Sequence, residues 1–355
     1  MKIAVYAISK NEEGFVERFC QSAADADYIV IADTGSDDDT VRLAEEQGAS
    51  VYRICIAPWR FDHARNAALA LVPADADICI ALDLDEVMMP GWRDEIEKTW
   101  TADATRMRYQ FDWSLGVRYQ ANKVHKRQGY HWRHPCHEVL EPDRRMQEVF
   151  CVSDMTLITH LPDPTKPRGQ YLDLLRLARA EDPACTRTAF YLAREFTYHA
   201  QWDEAVEALQ EYLAMPETWV LERCWAMRLL GKAYHVQGKD EDARQWYIRA
   251  VGEAAWSREP WADLAAFAYD LKDWNTCYFA AKSGLAVARR TNTYIDRPEV
   301  WGHRLYDTAA LGAYHIGLYD EAVSLGMQAC EMSPDDDRLA SNLAFYREKS
   351  PSLSA

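Results

Sequence analysis

Apolar and polar positions along this chain of 355 residues fall into two textures. In the first half, short apolar runs alternate with amphipathic segments. Ile3–Ile8 reads as a strand and Glu12–Ser22 as a helix, and Tyr28–Ala32 is a second strand that ends at Asp33-Thr34-Gly35-Ser36. Asp39-Thr40 is placed to cap a helix over Val41–Gln47. Strand, helix and strand follow at Ser50–Ile56, Asp62–Leu71 and Asp77–Leu82. Such alternation predicts βαβ units and a largely parallel sheet. Sheets of that kind bind ligands at the carboxyl ends of their strands. Here those ends carry Ser9-Lys10-Asn11-Glu12-Glu13, Asp33-Thr34-Gly35-Ser36 and Asp83-Leu84-Asp85-Glu86.

From about Tyr171 the strand patterns stop, and helix formers with spaced aromatics and alanines take over. Three segments align, each between two helix-like stretches: Tyr198–Ala205, His235–Ala243 and His315–Ala322. A weaker copy lies at Asp270–Trp274. The pattern resembles tetratricopeptide repeats, paired helices with a small residue after the turn and a period of about 34 residues. Spacing here is irregular, 38 positions from Ala205 to Ala243 and 45 from Trp274 to Tyr319, so insertions are expected, above all at 289–298. Ser333-Pro334-Asp335 closes the last full repeat. A generic helical bundle is the alternative. The expected division is an α/β domain over 1–165 and an all-α repeat domain over 170–349.

Composition narrows the function classes. A formal net charge of −16 excludes a protein that coats nucleic acid non-specifically. The charge is uneven, with nine basic against four acidic residues between Arg106 and Arg145. That stretch suits a phosphate-bearing ligand, or is simply a solvated face. No apolar run reaches the roughly 18–20 residues that span a bilayer, and residues 1–13 lack the apolar stretch of a signal peptide. Nine scattered cysteines without a CxxC pair fit reduced thiols better than disulfides or zinc. The expectation is a cytoplasmic protein.

Asp83-Leu84-Asp85-Glu86 is the strongest chemical signal. Two carboxylates two positions apart at a strand end suit a hard cation, Mg²⁺ or Mn²⁺, that leaves room for pyrophosphate oxygens. Acidic loops are common, so context decides. Asp33 stands beside a glycine that permits close backbone approach, although the same turn serves as a helix start. Arg65 and Asn66 lie near the start of a helix, where the arginine can pair with phosphate or with carboxylates.

In this order and spacing, residues 8–13, 33–40, 61–69 and 83–86 resemble the family 2 glycosyltransferases of GT-A fold, over about the first 95 residues. The resemblance implies that Ser9, Asn11 and Glu12 line a nucleotide pocket and that Asp33 contacts the base. It implies that Arg65 helps hold the pyrophosphate, and that Asp83 and Asp85 bind the metal, Asp83 also touching the donor. Leu84 departs from the small residue of many relatives, and is expected to face the sheet. His134-Pro135-Cys136-His137-Glu138 is similar to a His-Glu element of members that carry helical repeats. An inverting transfer needs a base, for which Glu138 is the first candidate and Asp112 the second. His160, after the apolar run 155–158, is similar to a family position that returns a histidine to the metal, a third ligand. Trp113, Tyr130 and Trp132 are aromatics for stacking or for core.

The implied activity is metal-dependent, inverting transfer of a sugar from a UDP-linked donor. The acceptor stays open between a peptide or protein, a hydroxymethylated DNA base and a glycan. The sublancin-type peptide S-glycosyltransferases pair this fold with helical repeats that support dimerisation, and that analogy implies a homodimer. Two other readings exist: a nucleotide-sugar-binding scaffold without catalysis, and a nucleotidyltransferase. The latter expects a Gly-rich loop where Ser9–Glu12 stand.

Overall fold

The computed structural model describes residues 1–113, 116–162, 169 and 171–350. The domain limits read from the sequence, 165 and 170, fall outside them. Two compact units are present, one of Met1–Glu181 with Asn292–Tyr294, the other of Asp182–Thr291 with the residues from Ile295 on.

The first unit is built on strands β1 (Ile3–Ser9), β2 (Tyr28–Asp33), β3 (Ser50–Arg53), β4 (Ile78–Ala81), β5 (Glu86–Met88), β6 (Arg106–Asp112), β7 (Arg118–Lys126), β8 (Tyr130–Arg133), β9 (Val139–Pro142) and β10 (Phe150–His160). Its helices are α1 (Glu13–Ser22), α2 (Thr40–Glu46), α3 (Phe61–Leu71), α4 (Trp92–Thr99) and α5 (Tyr171–Glu181). Eight strands form one sheet in the order β3-β2-β1-β4-β7-β6-β10-β5, and β8 with β9 forms a separate hairpin. The parallel expectation holds for β1 to β4. Beyond β4 the sheet is mixed, because β7 and β5 enter antiparallel.

Central strands are apolar on both sides for a physical reason. Ile3, Val5, Ile31, Ile78 and Ile80 share one core with Val16 and Phe19 of α1, whereas Ala4, Tyr6, Val30 and Cys79 share another with Ala68 and Leu69 of α3. With a layer on each face, the period-2 pattern vanishes and the strand reads as a continuous apolar run. Leu84 is buried in the first core, as expected from its position. Each fully buried aliphatic side chain there contributes roughly 1.5–3 kcal/mol.

Two local readings need correction. The strand expected over Ser50–Ile56 stops at Arg53, because β2, the strand it pairs with, stops at Asp33; Ile54 N then donates to Asp33 O at 2.8 Å. Asp39 precedes α2 but its side chain caps nothing. Asp38 does that work, its Oδ1 accepting from Thr40 N at 3.0 Å, while Asp39 pairs with Arg42.

The second unit is helical: α6 (Thr186–Tyr198), α7 (Trp202–Ala214), α8 (Val220–Val236), α9 (Asp240–Glu253), α10 (Glu259–Asp270), α11 (Trp274–Ala286), α12 (His303–His315), α13 (Tyr319–Met332) and α14 (Asp337–Lys349). Four helix pairs fall on the four turns read from the sequence; the expected insertion at 289–298 lies between α11 and α12, and a 3₁₀ turn at Pro298–Trp301 starts where it ends. In every turn, the residue two places before the second helix is left-handed: Ala200, Gly238, Lys272 and Gly317 have φ of 53°, 74°, 57° and 85°. Three residues into each second helix comes a small, fully buried side chain, Ala205, Ala243, Cys277 or Ala322. Gly312 lets α12 approach α11, since a Cβ there would lie 2.9 Å from Tyr278 N. Among the described residues no helix is long and apolar enough to cross a membrane.

Candidate active site

The carboxyl ends of β1 and β2 form one hydrogen-bonded loop pair. Asp33, fully buried, accepts from Ser9 Oγ at 3.0 Å on one oxygen and from Gly35 N and Ser36 N at 3.1 and 3.0 Å on the other. Asn11, left-handed at φ 53°, receives Asp37 N on Oδ1 at 2.9 Å and gives its own N–H to Ser36 Oγ at 2.9 Å. Glu12 N donates to Thr40 Oγ1 at 2.7 Å. Ser9 and Asp33 therefore meet directly and Asn11 joins their turn through Ser36 and Asp37, while Glu12 is tied through its main chain to Thr40. What the geometry assigns to Asp33 is the shape of the 33–36 turn, on which a nucleotide pocket would rest.

The end of β4 carries a partly buried charge network. Arg65, on α3, donates Nη2 to Asp83 Oδ1 at 2.7 Å and Nε to Glu138 Oε1. Lys123, on β7, binds Glu86 Oε1 at 2.7 Å and lies 3.5 Å from Asp83 Oδ2. Glu86 Oε2 accepts from Asp83 N at 3.0 Å, which closes the loop 83–86. Burial alone disfavours both cations. Asp83 and Glu138 outweigh it for Arg65, Glu86 and Asp83 for Lys123, so both are held above their ordinary pKa. For Glu86 burial prevails over Lys123, and its pKa is raised. Partly buried ion pairs of this kind gain little net stability, but removing one member is costly.

Glu138 reaches Arg65 across 73 positions because α3 grips the hairpin. Phe61 N donates to Pro135 O at 2.9 Å. Asn66 exchanges two 2.8 Å bonds with the main chain of Trp132. The Trp132 ring lies 5.1 Å from the Arg65 guanidinium and donates Nε1 to the buried Tyr6 Oη at 2.8 Å. Tyr6 Oη in turn lies 3.0 Å from His125 Nε2, whose Nδ1 is 2.7 Å from Lys126 O. Those distances place the proton on Nδ1 and leave Nε2 as acceptor. His134 and His137 hold φ of 82° and 49°, a conformation that costs a non-glycine residue energy and clusters at functional sites.

The third group lies where β10 ends. His160 Nε2 is 3.5 Å from Asp85 Oδ2, and the Trp113 ring stacks on the imidazole with centroids 4.2 Å apart. Among the described residues, His160 Nδ1 is buried without a hydrogen-bond partner. Cis ligands on a Mg²⁺-like ion stand roughly 3 Å apart, so the Asp85–His160 pair fits two positions of one hard cation. Among the described residues no three His, Cys, Asp or Glu side chains gather as a metal cluster. Asp83 is therefore not brought to Asp85 and His160 as a third member; it faces Arg65 and Lys123. Asp112 pairs with Arg118 at 3.2 Å across β6 and β7.

Sequence reasoning missed Lys123 as a member of the site. It is one lysine among nine basic residues of its stretch, and only the β4–β7 pairing shows that it meets the 83–86 loop.

A mixed sheet that places polar loops at the ends of β1, β2 and β4, with an acidic turn after β4, is the frame of an α/β domain whose ligands bind at the carboxyl ends of its strands. Residues 5–159 match the family model for glycosyl transferase family 2, and this part of the chain is a family 2 glycosyltransferase domain. An uncharacterized glycosyltransferase of Rickettsia bellii is 32% identical over 97 residues, 27% of this chain and 32% of that protein. The chain thus spans about a third of the length of the curated relatives it matches. Among solved structures, MamA is 17% identical with a TM-score of 0.38, covering 47% of this chain and 89% of its own. The C-terminal part of a TPR repeat-containing protein from Cytophaga hutchinsonii is 13% identical with a TM-score of 0.41, over 52% of this chain and 67% of its own.

Proposed function

We propose that the protein transfers a sugar from a nucleoside-diphosphate donor, UDP-linked, to an acceptor nucleophile with inversion at the anomeric carbon. The observation that carries this reading is the partly buried Arg65–Asp83–Glu138 cluster, with Lys123 and Glu86 behind it, at the end of β4 in a family 2 domain. The loop pair 9–12 and 33–36 shapes the nucleotide pocket. Arg65 and Lys123 offer positive charge to the pyrophosphate, which develops negative charge as the anomeric C–O bond breaks. Asp85 and His160 would hold Mn²⁺ or Mg²⁺, with Asp83 turned to Arg65 and Lys123, and a bound cation would supply charge neutralisation at the leaving group. The acceptor attacks from the opposite face, and Glu138 takes its proton, with Asp112 the second candidate. A helical-repeat unit favours a peptide or protein acceptor, and the sublancin-type analogy makes the active form a dimer.

The test is turnover of a panel of UDP-sugars with Mn²⁺, with Mg²⁺ and after chelation, for the wild-type protein and D85A. Metal-dependent release of UDP that falls at least about 100-fold in D85A supports the reading. Turnover indifferent to chelation, or unchanged in D85A, removes the metal role. Binding of UDP without turnover of any UDP-sugar would leave a nucleotide-sugar-binding module.

A further inference from the structure

A two-stranded hairpin is marginal by itself, yet β8 and β9 deliver Glu138 to Arg65. What fixes that hairpin decides whether the two side chains meet. Helix α3 touches it through the main-chain N–H of Phe61 and the side chains of Arg65 and Asn66. Arg65 and Glu138 are themselves the pair to be positioned, and Phe61 contributes a main-chain N–H that any residue other than proline would supply. Asn66 is different. Its side-chain amide matches both main-chain groups of one residue, donating Nδ2 to Trp132 O and accepting Trp132 N, each at 2.8 Å. Trp132 therefore turns both groups away from β9, where Leu140 is its cross-strand neighbour, and Asn66 completes the outer edge of β8 as a further strand would. Its amide supplies a donor and an acceptor side by side, in the geometry of a peptide group. Six residues along the chain from Trp132, past the left-handed His134 and His137, stands Glu138.

We propose that Asn66 is the positioning residue that locks β8 to α3 and so sets Glu138 against Arg65. The inference rests on the reading of that pair as catalytic machinery, and its test separates the two. In N66D the carboxylate keeps the acceptor for Trp132 N but opposes the Trp132 carbonyl; N66A removes both bonds. Hydrogen exchange of the peptides over 130–141 reads the lock without any turnover. Protection there is expected to fall about tenfold in either variant, the loss of one to two buried hydrogen bonds, with β1 and β4 unchanged. Unfolding equilibria of N66A, E138Q and the double variant read the Arg65–Glu138 pairing: E138Q is expected to cost about tenfold less in the N66A background. In UDP-sugar hydrolysis kcat is expected to fall about 100-fold while UDP affinity, measured with Mn²⁺ by calorimetry, moves less than about threefold. Unchanged protection over 130–141, or additive N66A and E138Q effects, overturns the positioning role. A wild-type protein without turnover would overturn the catalytic reading alone, because exchange and coupling still decide the lock.

Discussion

Both units of the chain bury arginine against carboxylates, and they do so to different ends. In the helical unit Asp263 sits between Arg228 and Arg297, each 2.6 Å away, while Glu259 accepts from Arg297 N at 3.2 Å and from Ser257 Oγ. Partners on α8, α10 and the α11–α12 connection at Arg297 meet these charges, and the cluster ties that connection to the helices. At the end of β4, Arg65 and Lys123 meet Asp83, Glu86 and Glu138, and this set borders Asp85 and His160 rather than a helix seam. A closed cluster is architecture. A cluster at the carboxyl end of a strand, beside polar loops, is where a ligand can bind.

Paired substitutions break that comparison most sharply. R228M leaves buried Asp263 with one cation, and is expected to cost about 3 kcal/mol of stability. Its turnover per folded molecule stays at the wild-type level. R65K preserves charge but cannot bridge Asp83 and Glu138 with Nη2 and Nε, so kcat/KM is expected to fall at least about 100-fold. Denaturant titration and UDP-sugar kinetics on both variants check this. Loss of turnover in R228M at conditions where it is folded would erase the distinction between the two clusters.

Histidine 125 gives a second, smaller handle on the first unit alone. Burial pushes its pKa down to about 3, with Arg106 and Arg127 adding to that against the Lys126 carbonyl. The unfolded chain takes up this proton near its ordinary value of 6.5, and the folded one does not. Stability is therefore whole above about pH 6.5 and is lost as pH falls toward 3, by about 1.4 kcal/mol per pH unit from this group. H125Q keeps an acceptor for Tyr6 and removes the titration. Between pH 6.5 and 5, above the ordinary carboxylate range, the wild-type protein should lose stability more steeply than H125Q. Parallel slopes would show that His125 titrates in the folded state as well.

What could be read from the chain in advance follows the same division. Clusters at the ends of β1, β2 and β4 were legible because an apolar run followed by polar residues is local information. The helix pairs were legible through the small residues at 205, 243 and 322, less so at Cys277 and at Lys272, where the left-handed turn position is not glycine. For Arg65 a pairing with the carboxylates of the 83–86 cluster was legible, and Asp83 is such a partner, whereas its neighbours Glu138 and Lys123 were not. Glu138 and Lys123 meet it or its neighbours through a hairpin grip and an antiparallel pairing, and no spacing along the chain encodes either. Nor did a carboxylate pair at 83 and 85 reveal that Asp83 turns toward two cations and Asp85 toward a histidine.

The smallest expected effect concerns the start of α2, where local reasoning chose the wrong one of two adjacent aspartates. Asp38 accepts Thr40 N on Oδ1 at 3.0 Å and Glu13 N on Oδ2 at 3.2 Å, so one carboxylate ties the first turns of α1 and α2 together. Burial opposes its charge, but Thr40 and Glu13 outweigh that and hold its pKa below the ordinary carboxylate range. Asp39 faces solvent and pairs with Arg42 on the helix surface, which screens it. D38A is expected to cost about 1 kcal/mol, the scale of a lost helix cap, and to loosen the loop that carries Asn11. D39A should leave the thermal midpoint unchanged within error. Equal shifts in the two variants, in a melt at neutral pH, would return the cap to Asp39 and detach Asp38 from the nucleotide-side loops.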